Sequence, residues 1–262
     1  MSENAIAPQA AGTISAVLIV KNEAAHLADC LQSLDWADEI IVLDSGSSDN
    51  TLEIAAAHGA KVFVEAEWLG FGIQRQRAQR YASCDWILMV DADERVTPEL
   101  RDSIRQCLTQ GPAIGQINRL SWCFGRYIRH SGWYPDRISR LYPREMAQYN
   151  DALVHEKLVQ PKHLPVKRLK GDLLHYTYHD LRQYLEKSGQ YAEAWALARA
   201  AQGRKSSLTN GLLHGIGCFL RMYVLRLGFL DGKQGLLLAI LSAHSTFAKY
   251  ADLWVRTQTQ KS

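Results

Sequence analysis

The chemistry-bearing stretch of this chain is an apolar run, Trp86–Val90, followed at once by the acids Asp91, Asp93 and Glu94. The length and β-branched content of the run predict a buried strand, which places the acids in a loop at its carboxyl end. In open α/β sheets, ligands bind at that end of the strands. Two carboxylates one residue apart can share a hard cation, and Mg²⁺ typically combines one or two of them with substrate phosphate oxygens. The spacing therefore indicates a metal–diphosphate site, with a solvated acidic turn as the alternative.

Alternating strands and helices lead up to this loop. Apolar runs at Ile14–Val20, Glu39–Leu43 and Lys61–Val64 predict three strands ahead of Trp86–Val90. The helices between them are expected with Leu27, Cys30, Leu31 and Leu34 on one face, then at about 50–58, and within 70–82. Such alternation predicts an α/β fold with a parallel sheet and right-handed crossovers.

Polar segments follow three of these strands and carry a family resemblance. Lys21-Asn22-Glu23 follows the first strand, 44–51 follows the second, and 91–94 follows the fourth. In this order and spacing they resemble the family 2 inverting glycosyltransferases of GT-A fold. The resemblance implies a Rossmann-like, mostly parallel sheet flanked by helices, and an enzyme that uses a UDP-sugar together with Mg²⁺ or Mn²⁺.

Later segments resemble one subgroup of that family, the lipopolysaccharide inner-core β-1,4-glucosyltransferases. The segments are 133–137, 140–144, 154–156 and 228–232. This resemblance implies transfer of a hexose, with UDP-glucose as the leading donor, to a heptose or related sugar of the lipopolysaccharide core. Two alternatives stay open: a family 2 transferase for another cell-surface polysaccharide, and a membrane-bound glycan-binding protein without catalysis.

The resemblance assigns nucleotide-sugar contacts to five positions. Glu23 and Asp44 would accept hydrogen bonds from the nucleoside, although each precedes a helix and could instead be an N-cap. Arg75 would pair with a phosphate, and its alternative is a solvated helix face shared with its neighbouring arginines. Asp91 and Ala92 complete the predicted donor site, and Asp91 also enters the metal site.

Further roles are implied beyond the donor site. Glu156 matches the position of the catalytic base, with Asp136 and Asp151 as competitors, and His155 would orient it or contact the acceptor. His175 would close on the metal or diphosphate together with Asp91 and Asp93. The alternative for His175 is an ordinary buried or capping histidine.

An aromatic and basic segment between 111 and 145 favours an acceptor site. Sugars stack on Trp and Tyr, and arginines suit phosphorylated or acidic acceptors; Trp133, Arg137 and Arg140 are the candidates. A hydrophobic layer with arginines reaching to its edge would give the same composition. Nucleic-acid binding is disfavoured because the first half of the chain is acidic.

Charge divides the chain. Residues 1–160 hold 15 Lys/Arg and 21 Asp/Glu, a net −6, whereas residues 161–262 hold 15 and 6, a net +9. Five scattered cysteines without a C-x-x-C pair fit a reducing compartment. We expect no signal peptide, because residues 1–12 have neither a basic n-region nor an apolar h-region. We expect no ordinary membrane span, because no segment has 18 uninterrupted apolar residues.

The C-terminal region has a different character. Leu236, Ile240, Ala243, Phe247, Tyr250 and Trp254 form one helical stripe. This stripe and the apolar segment 212–230 suit helices that lie in an anionic membrane interface, with a hairpin packed on the catalytic domain or on a dimer partner as the alternative. The sequence thus predicts a flexible N-terminus (1–12), a GT-A catalytic domain (13–180) and a helical membrane-associating extension (181–262), peripheral on the cytoplasmic face of a bacterial inner membrane and acting on a lipid-linked oligosaccharide.

Overall fold

The computed structural model describes residues 12–259 of the chain. The predicted flexible N-terminus lies outside the described residues except for Gly12. The described chain forms two compact units: residues 12–119 with Asp136–His175, and Leu120–Pro135 with residues 176–259. The sequence-based division at residue 180 lies close to the last junction. It does not anticipate that Leu120–Pro135 groups with the C-terminal helices.

The first unit begins with the predicted alternation. Its strands are β1 (Ile14–Val20), β2 (Glu39–Asp44), β3 (Lys61–Val64) and β4 (Trp86–Met89). Its first helices are α1 (Ala24–Gln32), α2 (Thr51–Ala57) and α3 (Phe71–Arg80). The strands are parallel in the order β3-β2-β1-β4, so the loops after β1, β2 and β4 leave the same edge of the sheet.

Both faces of this sheet are covered, which explains the unbroken apolar runs. Along β1, Ala16 and Leu18 belong to one core cluster, and Val17 between them belongs to another. Leu27 and Leu31 of α1 are buried in the first of these clusters. Alternate side chains of one strand therefore fill cores on opposite sides of the sheet.

The sheet continues with antiparallel strands beyond β4. The remaining elements are β5 (Glu94–Val96), α4 (Pro98–Leu108), β6 (Ile114–Cys123), β7 (Arg126–Tyr127), β8 (Asp136–Pro143), β9 (Gln148–Tyr149), β10 (Leu158–Val159) and β11 (Val166–Tyr178). The order is β3-β2-β1-β4-β8-β6-β11-β5, with β8 antiparallel to β4 and to β6, and β11 antiparallel to β5. The parallel pattern predicted from the sequence thus covers the first four strands.

The second unit is largely helical. It contains α5 (Leu181–Ala201), α6 (Leu208–Phe219), a π-helix (Leu220–Leu225), a 3₁₀ turn (Gly228–Asp231) and α7 (Gly232–Thr259). Asp180 and Ser207 cap α5 and α6 by accepting from the backbone N–H of Gln183 and Asn210. No helix within residues 12–259 combines the length and the apolar character that crossing a membrane requires.

The predicted stripe of α7 is only partly exposed. Its members Ala243, Phe247 and Tyr250 lie against α6 at Gly211 and Gly215, where an added Cβ would be tightly placed. A Cβ on Gly211 would lie 3.2 Å from the Phe247 ring, and one on Gly215 would lie 3.1 Å from the Ala243 carbonyl oxygen. The stripe therefore serves packing within the helical unit over most of its length.

Candidate active site

Arg75 is the centre of a buried ionic network in the first unit. It lies on α3, and only 4% of its side chain is exposed. Its Nε donates to Glu156 Oε1 at 2.8 Å, and its Nη2 donates to Asp91 Oδ1 at 2.8 Å. Its guanidinium also lies over the Tyr149 ring, 5.2 Å from the centroid. One arginine thus joins the predicted base to the first acid after β4, so Arg75 is not part of a solvated helix face.

Asp91 is held by a second arginine. Arg140 Nη2 lies 2.5 Å from Asp91 Oδ2, because β8 pairs with β4 in a register that sets Leu141 opposite Leu88. Burial would raise the pKa of Asp91, but the charges of Arg140 and Arg75 outweigh it and hold that pKa well below its usual range. Asp91 is therefore a carboxylate with each oxygen paired to a guanidinium.

Glu94 is a buried acid that stabilises the loop after β4. It is fully buried, its Oε2 accepts from the Asp91 backbone N–H at 3.0 Å, and its Oε1 lies 3.4 Å from Arg140 and 3.6 Å from Arg119. Burial raises the pKa of Glu94 against the opposing charge of Arg140. Arg119 in turn donates twice to Asp136 Oδ2, at 2.7 and 2.9 Å. Asp136, one of the competitors for the role of base, is therefore engaged in an ion pair with Arg119.

Asp93 and His175 form the pair best suited to a cation. His175 Nε2 lies 3.3 Å from Asp93 Oδ2, because β11 pairs with β5 and sets His175 opposite Glu94. No cluster of three or more His, Cys, Asp or Glu with metal-binding geometry occurs in residues 12–259. Two protein ligands still fit Mg²⁺ or Mn²⁺, since such ions fill their remaining positions with phosphate oxygens and water. Asp91 fits direct ligation less well, because both of its oxygens are taken by arginines.

The loop that carries Glu156 is fastened to the start of α3. Phe71 and Gly72 donate their backbone N–H groups to the carbonyls of Leu153 and Ala152, at 3.2 and 3.0 Å. A Cβ at Gly72 would lie 1.9 Å from the Asn150 carbonyl oxygen, so no larger residue fits without displacing the loop. The close approach sets Glu156 beside Arg75, one helical turn further along.

His155 and Asp151 occupy different surroundings on the same loop. His155 is exposed and has a left-handed backbone, with φ 59°. Asp151, the other competitor for the role of base, accepts from Gln76 Nε2 at 2.6 Å. The structure thus brings Glu156, rather than Asp151, onto the arginine that holds Asp91.

The predicted nucleoside acids lie on two loops that are hydrogen-bonded to each other. Asp44 is fully buried, and its carboxylate accepts from the N–H groups of Gly46 and Ser47, at 2.7 and 2.8 Å, and from the Ser47 hydroxyl. The Asn22 N–H donates to Ser47 Oγ, and the Glu23 N–H donates to Thr51 Oγ1, both at 2.8 Å. Asp44 thus folds the loop after β2, and a nucleoside contact by Asp44 or Glu23 stays a prediction.

The structure places the predicted acceptor residues in different surroundings. Arg137 is exposed on β8, and Arg140 is buried in the ionic network described above. Trp133 belongs to the second unit, where it packs against a cluster that includes Cys123 and Leu238. Ala92 of the predicted donor site is buried, and its carbonyl accepts from Arg95 Nη1 at 2.8 Å.

Two network residues, Glu94 and Arg119, were not assigned roles from the sequence. Glu94 directly follows the two aspartates, and its burial depends on β5 pairing with β11. Arg119 and Asp136 meet across β6 and β8, whose pairing joins distant parts of the chain. Neither strand pairing has a local signal, although the three acids after β4 already placed Glu94 near the site.

Comparison with known proteins identifies the family. The model of glycosyl transferase family 2 matches residues 15–159. An uncharacterized glycosyltransferase of Rickettsia prowazekii is 30% identical over 94% of this chain and 89% of its own length. The lipopolysaccharide core biosynthesis glycosyltransferase LpsC of Rhizobium meliloti is 27% identical, over 91% of this chain and 93% of its own. The chain therefore belongs to glycosyltransferase family 2, and its fold is the α/β GT-A fold.

A solved structure also overlaps part of the chain. The complex of glucosyl-3-phosphoglycerate synthase from Mycobacterium tuberculosis with Mn²⁺, UDP and glucosyl-3-phosphoglycerate is 30% identical. The overlap covers 44% of this chain and 46% of that one, with a TM-score of 0.37. The match is thus partial in both chains.

Proposed function

We propose that this glycosyltransferase moves a hexose, glucose in the first instance, from a UDP-sugar to a heptose or related sugar of a lipopolysaccharide core. The observation that carries the proposal is the contact of Arg75 with both Glu156 and Asp91. The contact with Glu156 brings together a carboxylate that can accept a proton and a guanidinium that can bind a diphosphate. The resemblance of residues 133–156 and the relative named for lipopolysaccharide core biosynthesis support this acceptor class.

In this proposal Glu156 is the general base. An inverting transfer is a single displacement: the acceptor hydroxyl oxygen bonds to the anomeric carbon, the bond from that carbon to UDP breaks, and the hydroxyl proton passes to the base. One carboxylate suffices, and the Arg75 contact fixes the position of Glu156. The proposal retains two acceptor contacts. They are His155, exposed on the loop that carries Glu156, and Arg137, exposed on β8.

Arg75 has a donor to spare for the leaving group. Its Nη1 is buried and has no hydrogen-bond partner among the described residues. A buried unsatisfied donor on a charged group is costly, and a phosphate oxygen would satisfy it. Arg75 thus supports the diphosphate in the proposal, alongside Glu23 and Asp44 on the loops assigned to the nucleoside.

Asp93 and His175 are the residues that would hold Mg²⁺ or Mn²⁺. When bound, such a cation neutralises the charge that develops on a leaving diphosphate. Asp91 then acts indirectly, because it aligns Arg75 and Arg140 beside the loop that carries Asp93.

A lipid-linked acceptor would determine where in the cell the protein works. We propose that the protein works as a peripheral protein at the cytoplasmic face of a bacterial inner membrane, where such an acceptor would be presented. The net charge of +9 in residues 161–262 supports attraction to anionic lipid.

Incubation with a panel of UDP-sugars and a delipidated core acceptor, followed by mass spectrometry, tests the proposal. We expect a product heavier by one hexose, lost on chelation of divalent ions and in the Glu156→Gln variant. Transfer to another polysaccharide fragment alone would favour the other family 2 function. Donor or glycan binding without any transfer, for every sugar and acceptor offered, would favour a non-catalytic binding protein.

A further inference from the structure

The second unit carries an apolar face that its own packing leaves uncovered. On α6 and the π-helix, exposed apolar side chains recur every fourth residue; they are Leu208, Leu212, Ile216, Leu220 and Val224. Leu213 adds to the same face and is 63% exposed. We call these six residues the α6 face. Gly211 and Gly215 are the positions at which α6 packs against α7, whereas these six side chains stay exposed.

The turn between α6 and α7 extends this apolar surface. Its exposed side chains are Leu225, Leu227, Phe229 and Leu230, with Leu225 exposed by 75%. The turn is held by hydrogen bonds, because Asp231 is buried and accepts from the N–H groups of Arg129 and His130, at 3.2 and 2.8 Å. The protein therefore holds these apolar side chains outward on an ordered turn.

Charge around the α6 face has one sign. From Arg204 to Tyr250 the sequence contains six Lys/Arg and a single acid, Asp231. That acid is 1% exposed, whereas Arg221, Arg226 and Lys233 are exposed. An apolar strip flanked by cations and free of exposed acid is complementary to a membrane surface, in which anionic headgroups cover an apolar acyl layer.

We propose that the α6 face and the adjoining turn dock this protein onto an anionic bilayer, with the apolar side chains in the acyl boundary and Arg221, Arg226 and Lys233 at the headgroups. The inference deepens the proposed function, on which its membrane partner rests. Of the two segments that the sequence suggested for this contact, it keeps 212–230 and leaves out the α7 stripe, which packs inward over most of its length. A helix with one apolar face and cationic flanks lies in the plane of the membrane–water interface and does not cross the bilayer.

Flotation of the full chain with vesicles tests this docking without donor or acceptor. We expect the protein to float with phosphatidylcholine–phosphatidylglycerol vesicles at low salt, and much less with phosphatidylcholine alone or at high salt. The double variant Leu212→Ser with Ile216→Ser should lower the vesicle-bound to free ratio by more than about tenfold, since two aliphatic side chains leave the interface. Its matched control is Leu185→Ser with Leu197→Ser on α5, also exposed apolar positions, which should bind as the parent does.

A second pair of variants tests the headgroup contact. Arg221→Gln with Arg226→Gln should weaken binding by about tenfold or more, because each cation near an anionic surface adds to the attraction. Arg101→Gln with Arg182→Gln removes the same charge from sites elsewhere, one partly exposed and one exposed, and should change binding little. Thermal melts identify any variant that has lost its fold.

Three results would overturn the proposal. The first is failure of the parent protein to float with anionic vesicles at low salt. The second is unchanged binding by folded α6-face variants. The third is a dimer in solution that Leu212→Ser with Ile216→Ser dissociates, which would assign the face to a second copy of the chain. Transfer to a soluble acceptor is assayed separately, so failure of docking and failure of the glycosyltransferase proposal are distinguishable.

Discussion

Arg75 Nε lies 2.8 Å from Oε1 of Glu156, a residue 81 positions later in the chain. The contact depends on Gly72, whose missing side chain lets the loop at 150–153 approach α3. It holds a carboxylate beside a guanidinium that also binds Asp91. The assignment of roles to these residues can be tested one residue at a time.

Replacement of Glu156 by Gln should separate binding from catalysis. The amide keeps the size and a hydrogen-bond acceptor for Arg75 but cannot take up the acceptor proton. We expect donor binding by calorimetry to survive and turnover to fall by roughly 10²–10⁴-fold. Glu145→Gln, at an exposed acid of the same unit, is the control. A normal rate for Glu156→Gln would move the role of base to Asp136 or Asp151.

Gly72→Ala should act on the same chemistry from a distance. The added methyl group would meet the Asn150 carbonyl, so the loop and Glu156 must shift. We expect a loss of turnover on the order of 10²-fold, the effect of a small misplacement of a catalytic group. Gly189→Ala is the matched control, because its Cβ meets nothing within 4 Å. Equal rates for both variants would show that the loop position is not critical.

Asp93→Ala should abolish transfer while leaving the fold intact, because Asp93 belongs to a partly exposed loop and no core volume is lost. Titration of Mn²⁺ in the presence of UDP should show weakened binding in this variant and in His175→Ala. Normal turnover and normal Mn²⁺ binding in Asp93→Ala would remove this residue from the metal site.

Arg140 and Arg137 should behave differently, although the sequence suggested one role for both. Arg140→Met leaves Asp91 and Glu94 short of a cation in a buried network, so we expect a loss of roughly 3 kcal/mol in the free energy of unfolding. Arg137→Met, at an exposed position of the same strand, should unfold as the parent does. Urea denaturation measures both. An Arg140→Met protein with parental stability and only a raised KM for the acceptor would restore the acceptor role.

Acid sensitivity should depend on Glu39. Burial would raise its pKa, but hydrogen bonds from Lys61, Ser15 and Ser83 lower that pKa from 4.5 to about 2. A carboxyl group with a lowered pKa in the folded state stabilises the fold above its unfolded pKa, and this contribution is lost as the pH falls from about 4.5 towards 2. The stability advantage of the parent over Glu39→Gln should therefore shrink across that range. A stability difference between the parent and Glu39→Gln that stays constant with pH would contradict this.

The sequence predicts the fold well where the signal is local. The runs that form β1, β2 and β4 are largely apolar because both faces of the sheet are buried there, and the polar residues that end them mark the functional edge. The contact of Arg140 with Asp91 could not be predicted in this way. It arises from the pairing of β8 with β4, and no periodicity near Arg140 indicates which distant acid it will meet.

The helical region shows a second limit of sequence patterns. Amphipathic spacing on α7 indicates that one side is apolar but does not indicate what covers it. Small residues on a neighbouring helix decide this, because Gly211 and Gly215 admit the α7 side chains to close contact. Leu236 and Ile240 of α7 stay exposed, but the exposed apolar side chains on α6 are more numerous, and the spacing alone gave no reason to prefer them.

The discontinuity of the second unit has a consequence for protein engineering. Cys123 and Ile128 pack with Leu238 and Leu241 in one core cluster, although a hundred residues of the chain lie between them. A graft of residues 181–259 onto another enzyme would leave behind Cys123 and Ile128, two of the five buried residues of that cluster, and expose the remainder. Any chimera that borrows this region must therefore carry 120–135 as well, which calls for three crossover points in the gene rather than one.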